Sequence, residues 1–229
     1  MDYLFNGFTL ETAPGTFPIS TDSMVLSHFV KLPRNGRVAD LGAGCGTLGL
    51  LLCATDSTCT VTGLEIDPIA HAAAEENIRS NGLEARMASI CADLRNLPGD
   101  LAPGSFHVCV SNPPYFSGGP ASATLPVARQ DNCCPPEALF KAASTLLKFG
   151  GDFFLVHKPE KLAQLIGCAA AVKLEAKRLC LIRHRDGGPI TTVLLQFRKG
   201  GKPGLIIEEQ SLYTSLGEQT PYFREVYHI

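Results

Sequence analysis

The sequence predicts an α/β protein with a doubly wound, Rossmann-like sheet, and three observations carry that reading. Arg37-Val38-Ala39-Asp40-Leu41 reads as a strand that runs into the glycine turn Gly42-Ala43-Gly44-Cys45-Gly46, after which Leu48, Leu50, Leu51 and Leu52 open a helix. Acidic residues Asp40, Glu65 and Asp93 stand at the ends of three successive strand-like runs. Strands then alternate with helix-length patterns up to residue 172, as parallel strands joined by crossover helices require. The count is a seven-stranded, mostly parallel sheet with an antiparallel last strand and helices on both faces.

Residues 1–20 are irregular, punctuated by Gly7, Pro14, Gly15 and Pro18. Ser20, Thr21 and Asp22 precede apolar residues at helical spacing over 23–30, closed by Pro33, and a helix cap is the plain role for Thr21 or Asp22. Residues 60–65 form the second strand, and Asp67 caps a helix that starts at Pro68 and closes at Asn81-Gly82. Residues 85–90 and 106–110 are the third and fourth strands. The Gly-, Ser- and Pro-rich stretch 116–134, which contains Arg129, reads as a lid or a substrate contact. A helix over 136–147, a strand over 152–156 and a helix to about 172 follow. The strands 174–183 and 190–198 around Asp186-Gly187-Gly188-Pro189 read as a hairpin.

At 229 residues and 45% hydrophobic, the chain can bury one core and fits a single domain, with residues 1–35 covering the site and 36–229 forming the body. No apolar run approaches the roughly 18 residues of a membrane span, and Met1-Asp2-Tyr3 lacks the basic start of a signal peptide, so the expectation is a soluble, cytoplasmic monomer with no membrane partner. Nine scattered cysteines without a Cys-x-x-Cys pair read as reduced core residues, with no metal; Cys133-Cys134 has no assigned role. A net charge of −2 excludes a histone-like binder, yet residues 173–202 carry eight basic side chains against Glu175 and Asp186. That stretch suits either a solvated hairpin surface or a polyanion partner.

Two motifs carry chemistry. In Asn112-Pro113-Pro114-Tyr115, after the fourth strand, two prolines remove two backbone donors and fix two φ angles, leaving the carbonyls of Asn112 and Pro113 free to accept. With the Asn112 side-chain oxygen beside them and Tyr115 to cover a plane, the site can receive an NH₂ group, either a nucleobase amine or a glutamine carboxamide. The second motif is ambiguous, because Gly44-Cys45-Gly46-Thr47-Leu48-Gly49 also matches the dinucleotide pattern G-x-G-x-x-G. Asp40, two residues before the first glycine, repels a pyrophosphate and welcomes a cationic amino-acid moiety. S-adenosyl-L-methionine, with an ammonium and a sulfonium and no phosphate, is favoured over NAD.

Asp40-x-Gly-x-Gly-x-Gly, Glu65, Asp93 and the Asn-Pro-Pro-Tyr tetrapeptide together resemble the class I S-adenosylmethionine-dependent methyltransferases that act on planar nitrogens. The chain is most similar to the bacterial tRNA1(Val) (adenine(37)-N6)-methyltransferase family. The resemblance covers nearly the whole chain through Phe17-Pro18-Ile19-Ser20-Thr21-Asp22-Ser23, Asn112 to Phe116, His157-Lys158-Pro159-Glu160-Lys161-Leu162 and Arg198-Lys199-Gly200-Gly201-Lys202-Pro203-Gly204. It implies that Asp40, Gly42, Ala43, Gly44, Gly46, Glu65, Ile66, Asp93 and Leu94, with Thr21, Asp22 and Asn112, hold the cofactor. It implies a catalytic role for Asn112, Pro113, Pro114 and Tyr115, and a tRNA partner gripped by Tyr115, Phe116, Arg129, Arg183, Arg185, Arg198, Lys199 and Lys202. Three other readings stay open: a glutamine methyltransferase acting on a release factor, a nicotinamide oxidoreductase, and a non-catalytic RNA-binding protein.

Overall fold

The structure is a computed structural model and describes residues 2–13, 18–114 and 134–229. A short antiparallel pair, β1 (Asp2–Tyr3) and β2 (Thr9–Leu10), comes first. Then follow α1 (Thr21–Phe29), β3 (Arg37–Leu41), α2 (Thr47–Thr55), β4 (Thr60–Glu65), α3 (Pro68–Ser80), β5 (Met87–Cys91) and β6 (Phe106–Ser111). The second half contains α4 (Pro136–Leu146), β7 (Leu147–His157), α5 (Leu162–Ala171), β8 (Leu174–Arg185), β9 (Ile190–Lys199), β10 (Ile206–Tyr213) and α6 (Pro221–Tyr227).

Among the described residues, eight strands form the main sheet in the order β10-β8-β9-β7-β6-β3-β4-β5, one more than the sequence predicts. The antiparallel strand is β9 and not the last one, because β10 returns to pair parallel with β8. Strand β10 escaped prediction because Ile206-Ile207-Glu208-Glu209 lacks period-two alternation. Its two acids pair with β8 instead, Glu208 with Arg178 at 3.1 Å and Glu209 with Arg183 at 3.3 Å.

Two cores flank the sheet. On one face α1, α2 and α6 bury Met24, Leu26, Leu51 and Phe223 against Val38, Val110, Phe154 and Leu194. On the other, α4 and α5 bury Phe140 and Leu165 against Ala39, Cys109, Phe153 and Phe197. Phe140 meets Phe153 and Phe197 edge to face, each at 5.3 Å. Because side chains alternate along a strand, Asp40 shares the face of Val38, and the parity of Val108 and Val110 carries Asn112 to that same α1/α2 face. That parity places both candidate site residues under one pair of helices. Cys53, Cys59, Cys109 and Cys180 are buried free thiols, and Cys45 is buried in the core as well. Among the described residues, no helix is long and apolar enough to cross a membrane.

The basic stretch does form the hairpin β8–β9, but its cations separate to opposite ends of the sheet. Arg183 and Arg185 lie at the carboxyl end of β8, beyond the level where Leu181 and His157 both face Val193. Arg198 faces Asp152, five residues back along β7 from His157, or about 17 Å. There it makes a two-pronged ion pair with Asp152, both bonds 2.8 Å. Lys199 donates to the Ser144 and Leu147 carbonyls at 2.6 and 2.7 Å, closing the carboxyl end of α4. Replacing Lys199 with Met should therefore lower stability by roughly 1–3 kcal/mol, since two carbonyls lose a charged donor. A urea titration checks this: the midpoint falls while the slope stays constant.

Candidate active site

The site assembles at the carboxyl ends of β3, β4, β5 and β6. The glycine turn after β3 folds back on β4, with the N–H groups of Gly42 and Ala43 both donating to the Leu64 carbonyl at 2.9 and 3.0 Å. Gly42, Gly44 and Gly46 take φ of 76°, 56° and 85°, the left-handed region that glycine enters without steric cost. Beneath the turn, a Cβ on Gly63 would lie 2.9 Å from the Ala43 Cβ, so β4 approaches closely only because it carries a glycine there.

The two buried acids of this edge are treated oppositely. Glu65 accepts the Gly44 N–H at 2.7 Å and the Asp67 N–H at 2.8 Å, one on each oxygen. Those two bonds hold the turn and leave a lone pair on each oxygen. Asp40 is 1% exposed, and neither of its oxygens has a hydrogen bond of normal geometry. Burial pushes its carboxyl up from 3.8 to about 7, the Glu65 charge adds to the rise, and the Gly49 backbone N–H opposes it. A buried carboxylate without a partner beside a glycine turn calls for a cation. These residues fit S-adenosylmethionine, whose ammonium and sulfonium are positive and which carries no phosphate, and they do not fit a pyrophosphate.

Asp93 lies past β5, bonded to the Arg95 guanidinium at 2.7 to 2.9 Å, which holds its carboxyl below the usual range. Ile66, 40% exposed, follows Glu65, and the half-buried Leu94 follows Asp93, so apolar surface flanks the acids. Past β6, Asn112 donates from Nδ2 to the Ser23 hydroxyl at 3.0 Å, and Ser111 donates to the Leu41 carbonyl at 2.6 Å. Pro113 is buried and Pro114 exposed; Tyr115, Phe116 and Arg129 lie outside the described residues. The structure thus brings Asp40, Gly42, Ala43, Gly44, Gly46, Glu65 and Asn112 to one end of the sheet, with Arg183 and Arg185 on that edge. It leaves Arg198, Lys199 and Lys202 at the other.

Thr21 and Asp22 are not the cap of α1. Ser20 caps it, accepting the Ser23 N–H at 3.2 Å. Asp22 accepts from the Thr192 hydroxyl at 3.0 Å and meets Lys158 at 3.6 Å, tying α1 to the ends of β7 and β9. Two residues that sequence reading missed hold the site from behind. Ser23 is one. Asn77, 2% exposed, donates to the carbonyls of Glu11 and of Cys45 in the glycine turn, both at 2.9 Å, joining the amino-terminal segment to that turn through α3. A signal for it existed: Asn77 interrupts the buried stripe Ala70, Ala74 and Ile78 of α3 with an amide.

A strand-end glycine turn, a buried acid whose oxygens carry no hydrogen bond of normal geometry and an amide at the neighbouring strand end fit a methyltransferase of the Rossmann-like class. The methyltransferase small domain family model matches residues 8–173, and the chain belongs to that family and, within it, to the tRNA1(Val) (adenine(37)-N6)-methyltransferases. A relative of that name from Tolumonas auensis is 30% identical over 91% of this chain and 86% of its own length. Another, from Bacteroides fragilis strain ATCC 25285, is 27% identical over 98% and 97%. Among solved structures, a predicted O-methyltransferase from Agrobacterium tumefaciens superimposes with a TM-score of 0.74 at 22% identity, over 91% of this chain and 96% of that one, a likeness of fold. The enzyme is an S-adenosylmethionine-dependent methyltransferase.

The raised Asp40 carboxyl fixes the sign of a pH effect. A carboxyl that folding shifts from 3.8 to about 7 is most easily accommodated while protonated, so its contribution to stability falls as pH rises through that window. Asp40→Asn should match the native chain near pH 4 and exceed it at pH 8 by on the order of a few kcal/mol, while losing cofactor binding. Thermal melts across pH, paired with calorimetric titration of S-adenosylmethionine, test both halves. A variant equally stable to the native chain at pH 8 contradicts the assignment.

Proposed function

We propose that the chain methylates N6 of an adenosine in the anticodon loop of a tRNA, at position 37 of a valine tRNA as the names of its relatives suggest. The observation that carries the reading is the Asn112 carboxamide, pinned through Nδ2 to Ser23 at a strand end on the same face as Asp40. Its Oδ1 is thereby left to accept. S-adenosylmethionine supplies a methyl group on a sulfonium and leaves as S-adenosylhomocysteine. Asp40 would balance the cofactor's positive charge, Glu65 and Asp93 would accept from its hydroxyl and amine groups, and the amino-terminal segment tied down by Asn77 would cover it.

An exocyclic adenine nitrogen is a poor nucleophile because its lone pair is delocalised into the ring. Asn112 Oδ1 and the Pro113 carbonyl each accept one of its N–H bonds, drawing the nitrogen toward tetrahedral geometry and localising the pair. The nitrogen turns acidic once alkylated and releases its proton without a strong base. Tyr115 stacks on the ring, worth about 1–3 kcal/mol. A loop adenosine is a cheap target because little stacking is lost when it turns out. Asn112→Ala should cut turnover by about 10²–10³ and leave cofactor affinity within a few-fold. Mass spectrometry of nuclease-digested tRNA, from cells with and without the protein, tests the substrate. Unchanged N6-methyladenosine beside a lost methyl on a release-factor glutamine would reverse the reading toward the protein substrate.

The RNA track follows the carboxyl edge. Arg185 is exposed with no ion pair among the described residues, and the exposed His184 ring leans on Tyr213 at 5.0 Å. Arg183, Gln210 and Tyr222 line an adjacent cleft of about 630 Å³ together with the acids Asp186 and Glu209, the latter paired with Arg183. Three strand spacings separate β8 from β6, on the order of 15 Å, within reach of neighbouring nucleotides. Arg185→Glu should weaken tRNA binding and flatten its salt dependence by about one ion, whereas Lys202→Glu, at the far end, should leave both unchanged. Filter binding from 50 to about 200 mM salt separates the two; equal losses would place the RNA elsewhere.

A further inference from the structure

We infer that Ser23 is a positioning residue that sets which edge of the Asn112 carboxamide faces the acceptor nitrogen, an inference that rests on the amine-acceptor role proposed above. A carboxamide has two nearly isosteric orientations, and only one presents an oxygen to an incoming NH₂ group. Flipped, Asn112 would direct its own N–H bonds at the amine and oppose transfer.

Three observations support the choice. Ser23 is 5% exposed, on the first turn of α1, and its oxygen lies 3.0 Å from Asn112 Nδ2. Its hydroxyl also lies 3.2 Å from Ser20 Oγ, which already accepts the Ser23 N–H as the cap of the helix. Either hydroxyl can donate in that contact; because Ser23 accepts from Asn112 Nδ2, the arrangement in which it gives its own proton to Ser20 satisfies both partners. The amide must then offer Nδ2 to the helix and Oδ1 to the other side. The third observation is that the mount is rigid: Asp22, the preceding residue, is bonded to Thr192 at 3.0 Å and paired with Lys158 at 3.6 Å. Ser20 and Ser23 thus act as a proton-ordered pair whose direction is read out at the acceptor.

The test is turnover of Ser23→Ala and Ser23→Thr beside the native enzyme, on total tRNA and on a glutamine peptide. Native transfer to tRNA or to peptide decides the substrate; the ratio of variant to native on whichever acceptor is used decides the role of Ser23. Ser23→Ala should lower kcat about tenfold, the worth of one oriented hydrogen bond, with the KM for cofactor and the Kd for tRNA in the presence of S-adenosylhomocysteine within twofold. Ser23→Thr, which keeps the hydroxyl, should recover most of kcat. Ser20→Asp preserves a cap acceptor and an acceptor for the Ser23 proton, and should stay near native. Retention of kcat within twofold in Ser23→Ala overturns the inference. So does a loss that travels with cofactor affinity or melting temperature and is not recovered by threonine.

Discussion

The rest of the structure turns on a carboxylate buried where nothing answers it. Asp40 and Glu65 end adjacent strands, close enough that the charge of one raises the other. Glu65 is satisfied by two backbone N–H groups, and Asp40 is left at 1% exposure without a partner. Such a group is costly to ionise in the free chain: burial, and then the Glu65 charge, push its carboxyl up to about 7. The glycine turn, with three left-handed residues and its N–H groups closed on Leu64, provides the approach. Stability is given up locally in exchange for a binding preference. Dinucleotide sites on the same strand–turn–helix plan offer N–H groups to a pyrophosphate instead, and an unpaired acid at this position reverses that choice of ligand.

The second requirement is geometric, and strand parity meets it. Asp40 and Asn112 belong to neighbouring strands and share a face, so one helix pair can reach both. Helix α2 grows out of the turn above Asp40, and α1 brings Ser23 against Asn112. Ser111, of opposite parity, turns away and bonds to the Leu41 carbonyl, locking β6 to β3 where the chain leaves the sheet. The prolines that follow cannot donate to a ladder, which ends the strand there and frees the carbonyls beside the amide.

Most of the frame was legible because it depends on local pattern. The strand and glycine turn at 37–46, the Asp67 cap of α3 and the hairpin around 186–189 each follow from residues close in sequence. What escaped depends on partners far along the chain. Strand β10 has no alternation of its own and is defined by Arg178 and Arg183, which are 30 and 26 residues from their acids. Ser20, Thr21 and Asp22 all fit a cap from the sequence, and only the distant Thr192 and Lys158 show that Asp22 is employed elsewhere. The basic run 173–202 misled for the same reason. Counted along the chain it is one patch; folded as a hairpin it points cations to both ends of the sheet, and several are neutralised by Asp152, Glu208 and Glu209.

The carboxyl-terminal elements that sequence reading left undefined bear on the site through α1. Helix α6 packs against α1, with Tyr227 OH 3.2 Å from the Thr21 hydroxyl and Glu225 3.8 Å from His28. Thr220 caps α6 by accepting the Phe223 N–H and donates to the Ser211 carbonyl of β10, so strand, helix and α1 form one continuous mount. The line of support therefore runs from β10 through α6 to α1, and from Ser23 to the Asn112 amide. On the inference drawn for Ser23, the helix that decides which way the amide faces is fixed from both ends. Asp22 ties that helix to the sheet at its start, and Tyr227 and Glu225 hold its outer side. On this account the extra strand and final helix are support for catalysis, and their distance from Asn112 in the sequence is why no local motif marked them.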